Sequence, residues 1–226
     1  GSSIGKGSFI FRESSGRLIY LGEGETTDRV INWYRKTDES FTGVAGYIDA
    51  GANGGITFKG DWGKISWANT GAERIVLTGS NTTACVLDNA FTDSGPTNPL
   101  YIIKRGSGTW KFADHDKRMN NGVIAVEEGK IQFTSIADTN VVCSLGLANS
   151  LQSAYSGPYD AQKSVDYAYL LGTASTRGTM EYVGEKDAVC SNRIFAIQGE
   201  GAIINGAAEG VRLDLRGAKN APGENG

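Results

Sequence analysis

A single histidine, four prolines and three cysteines are all that these 226 residues offer of the side chains that most often bind metals, break regular backbone or cross-link it. One imidazole cannot furnish a multi-histidine metal site. Cys85, Cys143 and Cys190 lie far apart, with no C-x-x-C pair. That excludes the common zinc and thioredoxin-like signatures; buried free thiols are expected, a disulfide being the alternative. No run of about 18 apolar residues occurs, so no membrane insertion by this segment is expected. Gly1-Ser2-Ser3 has neither a start methionine nor a charged-then-apolar leader, which reads as a soluble piece cut from a longer precursor, with one or two foreign residues in front. Charge of one sign is missing too: 22 Lys+Arg face 25 Asp+Glu. Without a broad positive field, a nucleic-acid partner is excluded. Helical periodicity is confined to Ala148–Tyr169, where Gly157-Pro158 and the polar tone favour an excursion loop.

Glycine is abundant instead, at 32 residues, and marks a turn-dense β protein. The chain also partly repeats itself. Gly16-Arg17-Leu18-Ile19-Tyr20-Leu21-Gly22 returns as Gly178-Thr179-Met180-Glu181-Tyr182-Val183-Gly184. Arg29 returns as Arg193, Gly46–Gly51 as Gly201–Gly206, and Arg74–Asn81 as Arg212–Asn220, in the same order with drifting spacing. Such recurrence describes a stacked array with variable loops. It divides a single solenoid segment, 1–226, into a first unit of about 3–143 and a partial second unit of about 144–226, lengthened by the excursion over about 148–169.

Short segments alternate with period two, as in Val211–Arg216, Trp110–Phe112 and Ile131–Phe133, while Leu18–Leu21, Ile75–Leu77, Leu100–Ile103, Val123–Val126 and Ile194–Ile197 are more continuously apolar. Many short strands also suit a sandwich, barrel or propeller. The long-range echo selects a parallel β-solenoid. At roughly 20–25 residues per coil it would hold about nine to eleven coils, a rod about 45–50 Å long.

Leu100–Phe112, containing Gly106-Ser107-Gly108-Thr109-Trp110, and Asn120–Ile131 after it resemble the autotransporter-associated β-strand repeat. Arg74–Gly79, Asp88 and Gly178–Gly217 are similar to its flanking segments; Ala113–Met119 departs from its usual turn. The resemblance implies a right-handed parallel β-helix in the passenger of a bacterial surface or secreted protein, exported through an outer-membrane barrel elsewhere in the polypeptide. Coils that contact only their neighbours suit folding during export.

Chemistry is sparse. His115 in Asp114-His115-Asp116 could be an oriented base or a ligand, but a solvated loop explains it and no second ligand set is apparent. Asp49, Asp61, Asp88 and Asp93 sit in ordinary turn contexts. Gly5-Lys6-Gly7 and Gly22-Glu23-Gly24 lack the rest of a phosphate loop. Arg29 and Arg193 are expected to pair with acids of neighbouring coils. Trp33, Tyr34, Trp62 and Trp67 are candidates for stacking on a sugar, with core packing the plainer reading. No catalytic residue, metal or cofactor is expected. The reading is a non-enzymatic structural or adhesive segment, with adjacent repeats, glycans or a cell-surface receptor as partners and end-to-end self-association anticipated. A carbohydrate-binding or carbohydrate-cleaving β-helix and a self-assembling filament subunit are the alternatives.

Overall fold

The computed structural model describes residues 7–11, 16–33, 46–64, 73–91, 100–147 and 168–216. Among these residues nineteen short strands, β1 to β19 in chain order, turn in a fixed sequence over three faces. The first face stacks β2 (Gly16–Ile19), β5 (Gly46–Asp49), β8 (Glu73–Thr78), β10 (Leu100–Lys104), β12 (Ile124–Val126), β14 (Tyr169–Leu171) and β17 (Phe195–Ile197). The second stacks β3 (Thr26–Thr27), β6 (Thr57–Phe58), β9 (Cys85–Leu87), β11 (Thr109–Phe112), β13 (Gly129–Phe133), β15 (Gly178–Tyr182) and β18 (Ala202–Asn205). The third carries β1 (Phe9–Phe11), β4 (Ile31–Trp33) and β7 (Trp62–Lys64), with β16 (Ala188–Cys190) and β19 (Leu213–Leu215) pairing later at the same place in the order. Between those groups the face continues through single bonds: Trp62 N donates to Ala90 O, Met119 N to Phe91 O and Leu147 N to Asn120 O.

The strand pairings are parallel, and the result is a β-solenoid. On the first face Gly16, Gly46, Ile75, Ile102, Ile124, Tyr169 and Phe195 follow one another in register, so successive coils are 30, 29, 27, 22, 45 and 26 residues long. Five of these six coils are thus longer than the expected 20–25 residues. Each long face accordingly has seven described rungs, fewer than the nine to eleven coils anticipated. Long connections make the difference. The internal stretches 12–15, 34–45, 65–72, 92–99 and 148–167 lie outside the described residues, and each falls between a third-face position and the next first-face strand. The expected excursion belongs to this set, except that Tyr169 opens β14.

Alternation fixes what faces inward. Leu18, Ile48, Leu77, Val126 and Leu171 form one interior column; Phe58, Leu87, Phe112, Phe133 and Tyr182 form another. Ile48, Leu77, Val126, Leu171, Phe58, Phe112 and Phe133 are buried. The outward column Val76, Ile103, Ala125 and Leu170 is buried as well, which explains the continuously apolar strands of the first face.

The sequence echo reappears in register. Gly16 pairs with Gly46, and Thr179 with Ala202, the residues that follow Gly178 and Gly201. The two tyrosines behave alike: the Tyr20 hydroxyl accepts from Gly24 N at 2.8 Å, and the Tyr182 hydroxyl donates to Lys186 O. The copies differ in face, since β2 lies on the first and β15 on the second. Close stacking makes one glycine of the motif indispensable: a Cβ on Gly178 would stand 1.6 Å from Val126 O. Gly178→Ala is therefore expected to lower the unfolding midpoint sharply or prevent folding, because backbone would have to shift. Gly7, whose Cβ would meet nothing within 4 Å, is the control: Gly7→Ala should leave the midpoint in place.

Candidate functional site

The aromatic candidates lie inside the coil. Trp33 is 4% and Trp62 6% exposed, and they belong to a ladder in which Phe11 stacks on Trp33 at 4.6 Å, Trp33 meets Trp62 edge-on at 5.7 Å and Trp62 stacks on Phe91 at 5.0 Å. These two rings fill the core rather than offer a face to a sugar, because the third face turns positions 33 and 62 inward on consecutive rungs. Tyr34 and Trp67 lie outside the described residues. Trp110 is buried too, its indole N–H donating to Thr78 O at 3.2 Å and its ring 6.2 Å from Phe58.

The described polar candidates have hydrogen-bond or charge partners of their own. His115 Nδ1 accepts from Lys117 N at 3.3 Å and lies 3.7 Å from Asp116, which is exposed, while Asp114 accepts a hydrogen bond from Ser135 Oγ. Asp49 accepts from Gly51 N at 2.9 Å as a turn brace, whereas Asp61 accepts from Ala90 N of the next coil at 3.0 Å; Asp88 lies 3.7 Å from Lys59, and Asp93 is outside the described residues. The cysteines Cys85, Cys143 and Cys190 are free and buried. Among the described residues no group of three or more histidine, cysteine or acidic side chains could hold a metal ion.

What sequence reasoning missed is a set of cations inside the coil that use carbonyl partners. Arg118 is fully buried and donates to Ala113 O, Ser144 O, Leu87 O and Asn89 O over 2.5–3.0 Å, with its guanidinium 4.6 Å from the Phe91 ring centre and 5.7 Å from that of Phe112. Those carbonyls belong to segments before and after it, so one side chain ties adjacent coils together. Burial pushes its pKa down to about 10, leaving the charged form dominant at neutral pH. Arg193 does likewise: it donates to the Tyr169 hydroxyl and, at 2.9–3.1 Å, to Asp138 O, Val141 O and Gly146 O. Its partners are a phenol and carbonyls, not the expected carboxylates. A carbonyl oxygen can accept two hydrogen bonds, and a guanidinium supplies donors to several carbonyls at once. Arg29, its echo, donates to Gly7 O at 2.6 Å and covers the Phe9 ring. The signal available in the sequence was that Arg29 and Arg193 recur just before an apolar strand.

Lys104 interrupts the interior column between Leu77 and Val126, its ammonium donating to Arg105 O, Gly106 O and Glu128 O. Burial pushes its pKa down to about 8, Glu128 offsetting part of that. The unfolded chain keeps this proton to about pH 10.4. Between pH 8 and 10 the unfolded state therefore binds more protons here, so Lys104 contributes stability that grows with pH. Burial raises the thiols of Cys85 and Cys190, which act in the opposite sense above about pH 8.5. The Lys104 contribution is isolated by comparison with Lys104→Met: the parent should gain roughly 1–3 kcal/mol on the variant between pH 8 and 10, read from denaturant unfolding at several pH values. A constant difference would show that the lysine keeps its proton throughout.

A different kind of feature lies at the end of the ladders. Beside β2 and β3 a cavity of about 390 Å³ is lined by Leu18, Tyr20, Ile56 and Phe58 with Glu25 and Arg29 at its polar side. At this end Ile19 and Leu21 are exposed; at the other, Ile197 and Ile204 are.

With these stacked parallel ladders established, known proteins supply one further observation. Part of the chain is similar to an adhesin. Over 137 residues, 57% of this chain, it is 30% identical to the Adhesin BmaC autotransporter of Brucella suis biovar 1 (strain 1330). The chain spans about 4% of the length of that adhesin. No family model matches the chain, and no solved structure matches it.

Proposed function

We propose that this chain is a non-enzymatic, structural and adhesive segment of an autotransporter-type passenger, carried on the outer-membrane surface or secreted. The observation that carries this reading is the 30% identity over 137 residues to the Brucella adhesin, joined to a fold of the kind an exported passenger needs. Among the described residues each strand of the two long faces pairs with the coils next to it, so a coil can consolidate as it emerges. Buried guanidiniums and aromatic ladders stiffen the coil, as a stalk requires. The repeat division into about 3–143 and 144–226 is part of the same reading: it rests on the recurring sequence motif, and the second unit begins its first face after the long connection.

The test uses the parent protein on the surface of the cells that make it. Deleting this segment in frame should reduce binding to host cells or matrix glycans while protease shaving of intact cells still releases the remaining passenger. Unchanged adhesion together with unchanged surface display would remove the adhesive role. For the non-enzymatic part, the purified chain is expected to leave a polysaccharide panel unaltered. Turnover lost in Asp88→Asn or His115→Ala would overturn it.

A further inference from the structure

Residues 138–147 leave the regular coil and put two valines into solvent. Asn140, Val141 and Val142 are exposed in succession, the valines at 50% and 37%, while Cys143–Gly146 directly after them are buried. Strand alternation would turn one of two neighbouring valines inward; here neither is. Asn140 makes the turn at a φ of 65°, the one left-handed residue other than glycine among the described residues. Such a backbone costs free energy and persists only where its surroundings fix it, which directs attention to what the tip does.

The surroundings fix this one from three directions. Within the loop Asn140 N donates to Leu147 O at 3.0 Å, Val141 N to Asp138 O at 3.1 Å and Gly146 N to Cys143 O at 2.9 Å, while Ser135 and Ser144 exchange hydrogen bonds across its base. From the coil after it, Arg193 donates to Asp138 O, Val141 O and Gly146 O, Ser191 N donates to the Asp138 carboxylate, and the Asn192 amide bonds both Thr139 N and Thr139 Oγ1. From the coil before it, Arg118 donates to Ser144 O. A tip held this way loses little freedom on binding.

What the tip offers defines the ligand. Val141 spends its N–H on Asp138 O and its C=O on Arg193, but the N–H and C=O of Val142 meet no group among the described residues and lie beside two exposed β-branched side chains. A backbone donor and acceptor next to apolar side chains is what an extended polypeptide carries as well, so two such segments satisfy each other. A sugar finds no ring to stack on here and no exposed polar side chain in the tip besides Asn140, and two valines bury too little surface to hold a membrane. We propose that the Asn140–Val142 tip is a recognition site for an extended, apolar polypeptide segment of a partner protein, which pairs its backbone with Val142 and packs on both valines. This deepens the adhesive reading and rests on it.

The experiment measures binding of the purified full chain to intact host cells, to the same cells shaved with protease or stripped with glycosidase, and to vesicles of their extracted lipids. Expected are full binding after glycosidase, about tenfold weaker binding after protease and none to vesicles. The double variant Val141→Thr, Val142→Thr keeps the β-branched shape and removes the apolar surface; it should bind intact cells about tenfold more weakly with an unchanged unfolding midpoint. Val189→Thr, at a 43% exposed valine of β16, is the control and should bind like the parent. Equal binding by the double variant, an equal loss in Val189→Thr, a loss that follows glycosidase instead of protease, or binding to the vesicles would each overturn the proposal. In-frame deletion of the segment from the parent protein separates the two claims: adhesion lost on deletion but kept by the double variant refutes the tip by itself, whereas adhesion kept on deletion refutes the adhesive reading and the tip with it.

Discussion

Arg118→Met should destabilise the chain by about 3–5 kcal/mol, although methionine is apolar and similar in length. The substitution removes donors from the carbonyls of Leu87, Asn89, Ala113 and Ser144 and takes a cation from between Phe91 and Phe112. Water cannot replace those bonds at a side chain with no exposed surface. Arg118→Lys keeps the charge but not the fork, since one ammonium cannot reach four separate carbonyls, and an intermediate loss is expected. Equilibrium denaturation measures both, with hydrogen exchange added because solenoids can open coil by coil. A methionine variant within about 0.5 kcal/mol of the parent would show that the guanidinium contributes nothing net to the stack.

Trp110→Ala is expected to cost about 3–5 kcal/mol as well, by a different route. The ring has no exposure, its register neighbours are Cys85 and Ile131, and its N–H satisfies Thr78 O across the coil. Truncation leaves a cavity that parallel ladders on either side cannot close, while Thr78 O keeps its bond from Ala50 N. Trp110→Phe retains most of the contact and should lose less. Leu21→Ala at 81% exposure is the contrasting case, with a change within about 0.5 kcal/mol. An unchanged midpoint for Trp110→Ala would mean that the motif tryptophan is dispensable to the coil.

Much of the ladder was legible beforehand. Gly-Ser-Gly-Thr-Trp marked the turn into β11, the alternation at Trp110–Phe112 and Ile131–Phe133 marked half-buried strands, and Leu100–Ile103 marked one covered on both sides. Coil length was less legible, because strand patterns report the rungs while the connections between third and first faces carry variable numbers of residues. The tryptophans were ambiguous for a similar reason: aromatic clustering in sequence is compatible with either side of a strand, and parity relative to the register decides. Arg193 was singled out as a recurring position but assigned the wrong partners, since a sequence shows charges and not which backbone carbonyls turn toward them.

The sequence by itself determined that the chain is a turn-rich stack of short parallel strands, because period-two alternation, glycine turns and an ordered echo are local and need no long-range information. It also carries the ordered echo between the Gly16–Gly22 and Gly178–Gly184 segments. Tertiary structure alone decided that the copies occupy different faces, that Arg118, Arg193 and Lys104 discharge their hydrogen bonds onto backbone inside the coil, and that Leu18 and Tyr20 line a cavity with Phe58. Those facts depend on which rung lies above which. Register between coils is set by how many residues each connection inserts and by the collective packing of interior columns, quantities that no single segment encodes.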